Sequence, residues 1–237
     1  MTAASTSLPS PQSPSFKPPR SVLDTVYAFA PNRDTQGGTA YFIVNNTPGG
    51  QPANLLIDAP AWDQGNREWL VAQGGVQWLF ITHRGGLGRA ATLQKTLDCA
   101  VVIQEQEAYL LPDTPTTPFH HRFSFSPALE AFWTPGHSPG SSCLLYSAYG
   151  GVLFTGRHLL PNQAGDPAPL RLAKTFHWPR QLQQVEALKT RFSAETLAHL
   201  CPGASTGFLR GQRTIDRAYD RLQTLDIDAL RTSQPLL

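Results

Sequence analysis

The chain has 237 residues, 41% hydrophobic and 15% charged, which suits one α/β domain and excludes a globally disordered polypeptide. Its net charge of +2 is too small to mark a nucleic-acid or anionic-membrane surface, and no apolar run reaches the ~18–20 residues a spanning helix needs. The three cysteines, Cys99, Cys143 and Cys201, are far apart and without CxxC spacing, so they read as buried reduced thiols of a cytoplasmic protein.

Residues 1–20 are rich in Ser and Pro and carry a single Phe. That composition buries too little to order itself, so a flexible tail is expected ahead of a single domain over 21–237. Strand-like runs follow at 22–30 and 40–45, joined by turn residues from Asn32 to Gly38. A third run at 54–58 closes on Asp58. The segment 63–73 predicts a helix with Trp62, Trp69 and Leu70 as apolar contacts, stopped by Gly74-Gly75.

Next come a strand at 77–82, a glycine-rich turn, a helix over 87–97 and a strand at 100–103. This β–α–β unit is the local sign of a layered α/β structure. Residues 111–127 read as an irregular loop with a short strand, and strands are expected at 130–134, 142–148 and 152–155. After a Pro/Gly-rich loop at 160–169, the spacing of Leu182, Val185, Leu188 and Phe192 predicts a helix over 180–192. A strand at 196–201 and a last helix over 207–222 complete the chain, with Arg210, Arg213, Arg217 and Arg221 on solvated faces of that helix.

Five strand ends carry the chemistry-bearing residues. They are Leu56-Ile57-Asp58; Thr82-His83-Arg84-Gly85-Gly86-Leu87-Gly88; Thr134-Pro135-Gly136-His137-Ser138-Pro139-Gly140-Ser141; Phe154-Thr155-Gly156-Arg157; and Cys201-Pro202-Gly203-Ala204. Their order and spacing resemble the metallo-β-lactamase superfamily, above all its glyoxalase-II-like and lactonase-like members, over about residues 22–225. The resemblance implies a four-layer αββα sandwich of the α/β (α+β) class, with a site at one edge of two packed sheets. It also implies a hydrolase whose His and Asp ligands hold one or two zinc, iron or manganese ions that acidify water.

Carried over by residue, the implied ligand set is incomplete. His83 matches the first histidine of the family's HxHxDH motif, but Gly85, Leu87 and Gly88 stand at its other ligand positions. His137 matches the histidine after the TPG turn. Arg157 replaces the bridging aspartate, and Ala204 replaces the final histidine. Asp58 matches an aspartate that is structural in the family. Two imidazoles give a weak site, and an arginine cannot ligate. The expectation is therefore a non-catalytic or catalytically repurposed protein without a stoichiometric metal cofactor, in which these eight positions are vestigial and Arg157 pairs with Asp58 or a nearby carboxylate, or points to solvent. It would act by binding a small anionic ligand or a protein partner, and would bind no nucleic acid and no membrane.

Two other readings stay open. One is a residual thioester or lactone hydrolase, using His83 and His137 with one weakly held zinc or iron, or without metal. The other is an assembly protein with an exposed patch of Trp62, Phe132, Trp133 or Trp178; a homodimer also stays open. The turn offers backbone amides between two arginines, so Arg84, Gly86 and Arg89 form a candidate anion site, and its glycines leave room for a pocket. Ser138, Ser141 and Ser142 near His137 are weaker candidates for a nucleophile, and His120, His121 and His158 for recruited ligands.

Overall fold

The computed structural model describes residues 16–47, 49–212 and 214–235. Strands β1 (Arg20–Leu23), β2 (Val26–Ala28), β3 (Tyr41–Ile43), β4 (Leu55–Ile57), β5 (Trp78–Ile81), β6 (Ala100–Gln104) and β7 (Thr116–Phe119) form one sheet in sequence order. Strands β8 (Arg122–Ser126), β9 (Leu129–Trp133), β10 (Ser142–Tyr146), β11 (Val152–Gly156), β14 (His199–Pro202) and β15 (Ile215–Asp216) form a second, ordered β15-β14-β11-β10-β9-β8. A two-stranded hairpin, β12 (Leu160–Pro161) and β13 (Pro167–Ala168), lies between β11 and β14 in sequence. Helices α1 (Gln64–Ala72), α2 (Ala90–Leu97) and the short α3 (Glu105–Ala108) belong to the first half; α4 (Trp178–Arg191), α5 (Ala218–Gln223) and α6 (Ile227–Arg231) belong to the second.

Period-two alternation sorts the strand residues into three cores. Tyr41, Ile43, Leu55, Ile57, Phe80 and Val102 face Leu144, Tyr146, Val152, Phe154 and Cys201 between the sheets. Their chain neighbours Phe42, Leu56, Leu79, Ile81 and Val101 turn outward onto Leu70 of α1 and Leu93 of α2. In the second sheet Cys143, Leu153 and Leu200 face Leu182, Val185 and Leu188 of α4 with Leu222 of α5. Helix, sheet, sheet and helix therefore stack as four layers. Because both faces of each sheet are covered, the central strands read as unbroken apolar runs.

The caps explain the helix limits. Asp63 accepts from the Asn66 amide at the start of α1, and Gly74 and Gly75, at φ +93° and +80°, end it with amides donating to Val71 and Leu70. His177 caps α4 through its ring, which accepts from the Arg180 amide.

Several elements differ from the sequence expectation. The run 22–30 folds back at Asp24-Thr25 into the hairpin β1–β2. Residues 111–127 carry two strands, because Phe119, Phe123 and Phe125 pack around Phe80 and Trp78. The segment 207–222 is not one helix: left-handed Arg210 and Arg217, at φ +50° and +44°, bracket β15 and leave a 3-10 turn at Thr206–Leu209 before it and α5 after it. Arg213 lies outside the described residues, as does most of the segment read as a tail; Phe16 lies against Gly65 and Arg20 opens β1. The patch proposed around Trp62, Phe132, Trp133 and Trp178 does not form, since Phe132 and Trp178 are buried and the other two half-buried. All three cysteines are free and buried.

Candidate functional site

Four parallel strands, β4 to β7, end on the same edge of the first sheet, and β11 with its parallel neighbour β14 ends on the adjoining edge of the second. The loops that leave these ends carry Asp58, His83, Arg157 and Ala204, and the β9–β10 loop brings in His137. Backbone bonds stitch the two sheets together here. The Ser142 amide donates to the Thr82 carbonyl at 2.8 Å, the Thr39 amide to the Gly203 carbonyl at 2.8 Å, and the Tyr41 hydroxyl to the Pro202 carbonyl at 2.8 Å.

Asp58 sits at the base, buried and left-handed at φ +57°. Its Oδ1 accepts from the Thr82 amide at 2.8 Å and its Oδ2 from the Thr82 hydroxyl at 2.7 Å. Burial pushes this carboxyl up to about 6, against the Thr82 bonds and the more distant Arg157 charge, which pull it down. The Thr82 oxygen also lies 2.9 Å from His83 Nδ1. Its one proton is committed to Asp58, so Nδ1–H is the donor and Nε2 is left with a lone pair, a tautomer assigned from the network. That Nε2 is buried without a partner.

The His83 and His137 rings meet edge to face at 5.2 Å. Burial holds His83 well below the ordinary imidazole value, helped by His137, Arg157 and Arg84. His137 is pushed down to about 4 by burial, then by Arg157 and Arg84. His158, fully buried with neither ring nitrogen partnered, is pushed to about 3 by burial and His137. The loop of His137 is locked beneath α4: the His177 amide donates to the Gly136 carbonyl, and a methyl group at Gly136 would stand 2.4 Å from the Gln181 Cα. Gln181 in turn donates to the His158 carbonyl at 3.0 Å.

Arg157 turns inward rather than to solvent. Its Nη2 donates to the carbonyls of Thr35 and Gln36, each at 2.9 Å. Nε is buried without a partner, and among the described residues no carboxylate lies within 4 Å of the guanidinium. The expected direct pair with Asp58 is therefore absent, because both Asp58 oxygens are taken by Thr82. Arg157 lines a cavity of about 250 Å³ with Gln36, Gly37, His137, Leu160, Leu170, Leu172, Ala204 and Ser205.

The turn after β5 holds no comparable space. A methyl group at Gly85 would stand 2.8 Å from His83 Nε2, one at Gly86 2.1 Å from Asp58 Oδ1, and one at Gly88 2.9 Å from Ala59 Cβ. The room expected beneath these glycines is filled by the packing around them. Several of the turn's donors are already paired: Arg84 Nε with the buried Glu107 at 2.9 Å, Arg89 Nε with Asp34 at 3.0 Å, and the Gly86 amide with the His83 carbonyl at 2.8 Å. Leu87 packs with the outer core beside α2.

Among the described residues, no group of three His, Cys, Asp or Glu converges where it could hold a metal ion. His120 pairs with Glu105 on the surface and stacks on Trp133. The Ser142 hydroxyl donates to Gly140, and Ser138 Oγ is buried without a partner. No helix among the described residues is long and apolar enough to cross a membrane. Sequence reasoning placed Arg157, His137 and Ala204 at the site. It missed Thr35, Gln36 and the Leu160/Leu170/Leu172 wall, which come from loops without a motif.

No protein-family model matches the sequence, and no curated protein does. Solved structures do match. The chain is similar to VMB-1, with 17% identity over 90% of this chain and 95% of that one, at a TM-score of 0.64. It is similar to ETHE1 from Myxococcus xanthus, with 17% identity over 86% and 87%, at 0.62. It is similar to an archaeal metallo-β-lactamase superfamily protein from Sulfolobus tokodaii, with 10% identity over 87% and 84%, at 0.55. The architecture is the metallo-β-lactamase fold.

Proposed function

We propose that this protein uses the metallo-β-lactamase fold as a binding scaffold, with an arginine-centred pocket standing where the fold's metal centre would be. The observation that carries this reading is Arg157: a guanidinium fixed by two backbone carbonyls, without a carboxylate partner among the described residues, lining a cavity shared with His137. A cation held in that way has spare donors and a charge that no direct ion pair neutralises among the described residues, which favours an anion.

The donor set does not fit a two-metal centre. Only His83 and His137 offer ligating atoms at the matched positions; Gly85, Leu87, Gly88 and Ala204 offer none, and Arg157 brings a positive charge that opposes a dication. The role supported is recognition of a small anionic ligand, without metal-dependent hydrolysis. Elemental analysis of the purified protein after dialysis tests the first half of the proposal: one equivalent or more of zinc, iron or manganese overturns it. Titration with small anions tests the second half, and heat release lost in Arg157→Met is the expected result.

The second reading, a residual thioester or lactone hydrolase, is favoured by the free lone pair on His83 Nε2. Turnover of a thioester or lactone that survives chelation and is abolished by His137→Ala would establish it over the binding reading.

A further inference from the structure

We infer that the Arg157 cavity selects a monocarboxylate with a short, branched or compact apolar tail, over dianions and over neutral amides; this rests on the anion-binding reading above. Charge, wall chemistry and size each point the same way.

The charge available is one. Arg157 is the cation lining the cavity, while Arg84 is tied to Glu107 and Arg89 to Asp34. His137, the other ionisable group on the wall, stays neutral near pH 7 because it is buried beside two guanidinium groups. Asp58, packed behind the site, attracts Arg157 from beyond ion-pair distance and lowers the excess further. A monoanion matches that excess. A dianion carries a second charge that must be desolvated with nothing to meet it, a cost that outweighs the added attraction to one guanidinium. A neutral amide forgoes the charge-assisted bonds and leaves the Arg157 donors facing a dry ligand.

Part of the lining is apolar. Leu160 is 6% exposed, but Leu170 and Leu172 are only half-buried, and neither belongs to any of the three cores. They project apolar surface at a cavity rather than into packing, which is the arrangement that rewards a tail of similar area by about 25 cal/mol per Å² covered.

The size is small. A volume of about 250 Å³ holds about eight water-sized groups at about 30 Å³ each. Two of these are carboxylate oxygens, leaving about six carbons. Gln36 and Ser205, both in the lining, hold left-handed backbone at φ +53° and +57°, conformations that persist only where the surroundings over-determine them.

The test is calorimetric titration of the full chain, in low-chloride buffer at pH 7, with acetate, 3-methylbutanoate, hexanoate, 3-methylbutanamide, succinate and inorganic phosphate. The expected order places 3-methylbutanoate and hexanoate at least about tenfold tighter than acetate, succinate and phosphate, about 1.4 kcal/mol or more, with no binding of the amide. Arg157→Met abolishes carboxylate binding. Because that variant also loses two loop bonds, Leu172→Trp serves as the second arm: it fills the tail space, leaves Arg157 in place, and lowers affinity for hexanoate while sparing acetate. Phosphate or succinate binding as tightly as 3-methylbutanoate overturns the monocarboxylate inference and leaves the anion pocket standing. Absence of binding by every anion overturns both.

Discussion

Arg157 and Gln36 are 121 positions apart in sequence, yet the guanidinium Nη2 of one donates to the carbonyl of the other at 2.9 Å. With the matching bond to Thr35, this fastens the β2–β3 loop across the end of β11. At the adjoining edges of the two sheets, this chain has a side chain that grips backbone on one side and lines a cavity on the other.

That grip makes Arg157 structural as well as a candidate for binding. A hydrogen bond from a charged donor contributes about 1.5–3 kcal/mol, less the cost of keeping a guanidinium half-buried. Arg157→Met is expected to lower stability by about 1–3 kcal/mol, which for a chain of this size moves Tm down by about 2–12 °C. Chemical denaturation with an unchanged m-value, and increased amide exchange confined to the 32–38 loop, are the results to look for. No change in either would mean that the loop is held by other contacts.

Asp58 adds a pH dependence of known sign. Its carboxyl is raised from the ordinary value to about 6 by burial, so the native state holds a proton that the unfolded chain has released. The stability it contributes is present below about 4, the ordinary carboxyl value, and is lost as pH rises through about 6. Asp58→Asn tolerates the left-handed backbone, keeps an acceptor for the Thr82 amide, and cannot titrate. Because the buried histidines raise stability over the same interval in both proteins, urea denaturation at pH 5 and pH 8 should show wild type gaining less stability than the variant. Parallel pH profiles would show that Asp58 titrates normally.

The buried imidazoles act in the opposite direction. His83 is held well below the ordinary range, His137 at about 4 and His158 at about 3, so the unfolded chain takes up protons that the native state refuses. Their contribution is intact above about 6.5, the ordinary imidazole value, and drains away as pH falls toward 4. Three such uptakes, less the one proton Asp58 gains natively, give a limiting slope of about two protons, or about 2.7 kcal/mol per pH unit. His158→Gln removes one of the three, so its slope between pH 6 and pH 5 should be shallower by up to about 1.4 kcal/mol per unit. An unchanged slope would place the proton uptake elsewhere.

Most of the architecture was legible from period and punctuation. Asp63 and Gly74-Gly75 fixed α1 to within a residue, and the strands from β3 to β6 stand where the apolar runs put them. The failures have a common cause, a long-range contact overriding a local pattern. Arg210 and Arg217 break the last predicted helix because Leu209, Ile215 and Ala218 each pack into the core beneath α4, which one straight helix could not achieve. The site divides in the same way. Arg157 and Ala204 stood out because the flanking Thr-Gly and Pro-Gly residues gave their positions, but whether Arg157 turned inward depended on Thr35 and Gln36, whose role is carried by backbone carbonyls and leaves no trace in residue type. Arg84 and Arg89 looked like free cations at a glycine turn; their partners Glu107 and Asp34 are 23 and 55 positions away.

Gly86 gives the most local test of how closely the site is packed. It stands at the centre of the turn that follows His83, and a methyl group on it would lie 2.1 Å from Asp58 Oδ1, far inside contact distance. Asp58 cannot retreat without giving up the Thr82 amide and hydroxyl, and Thr82 positions the His83 ring. Gly86→Ala should therefore cost about 1–3 kcal/mol as an overpacked buried site, and should shift the imidazole resonances of His83 and His137 in NMR spectra of the folded variant. Gly37→Ala, where a methyl group meets nothing within 4 Å but φ is +78°, isolates backbone strain without crowding and should leave the His83 resonances in place. Equal histidine shifts in both variants would show that the turn does not hold the Asp58–Thr82–His83 chain.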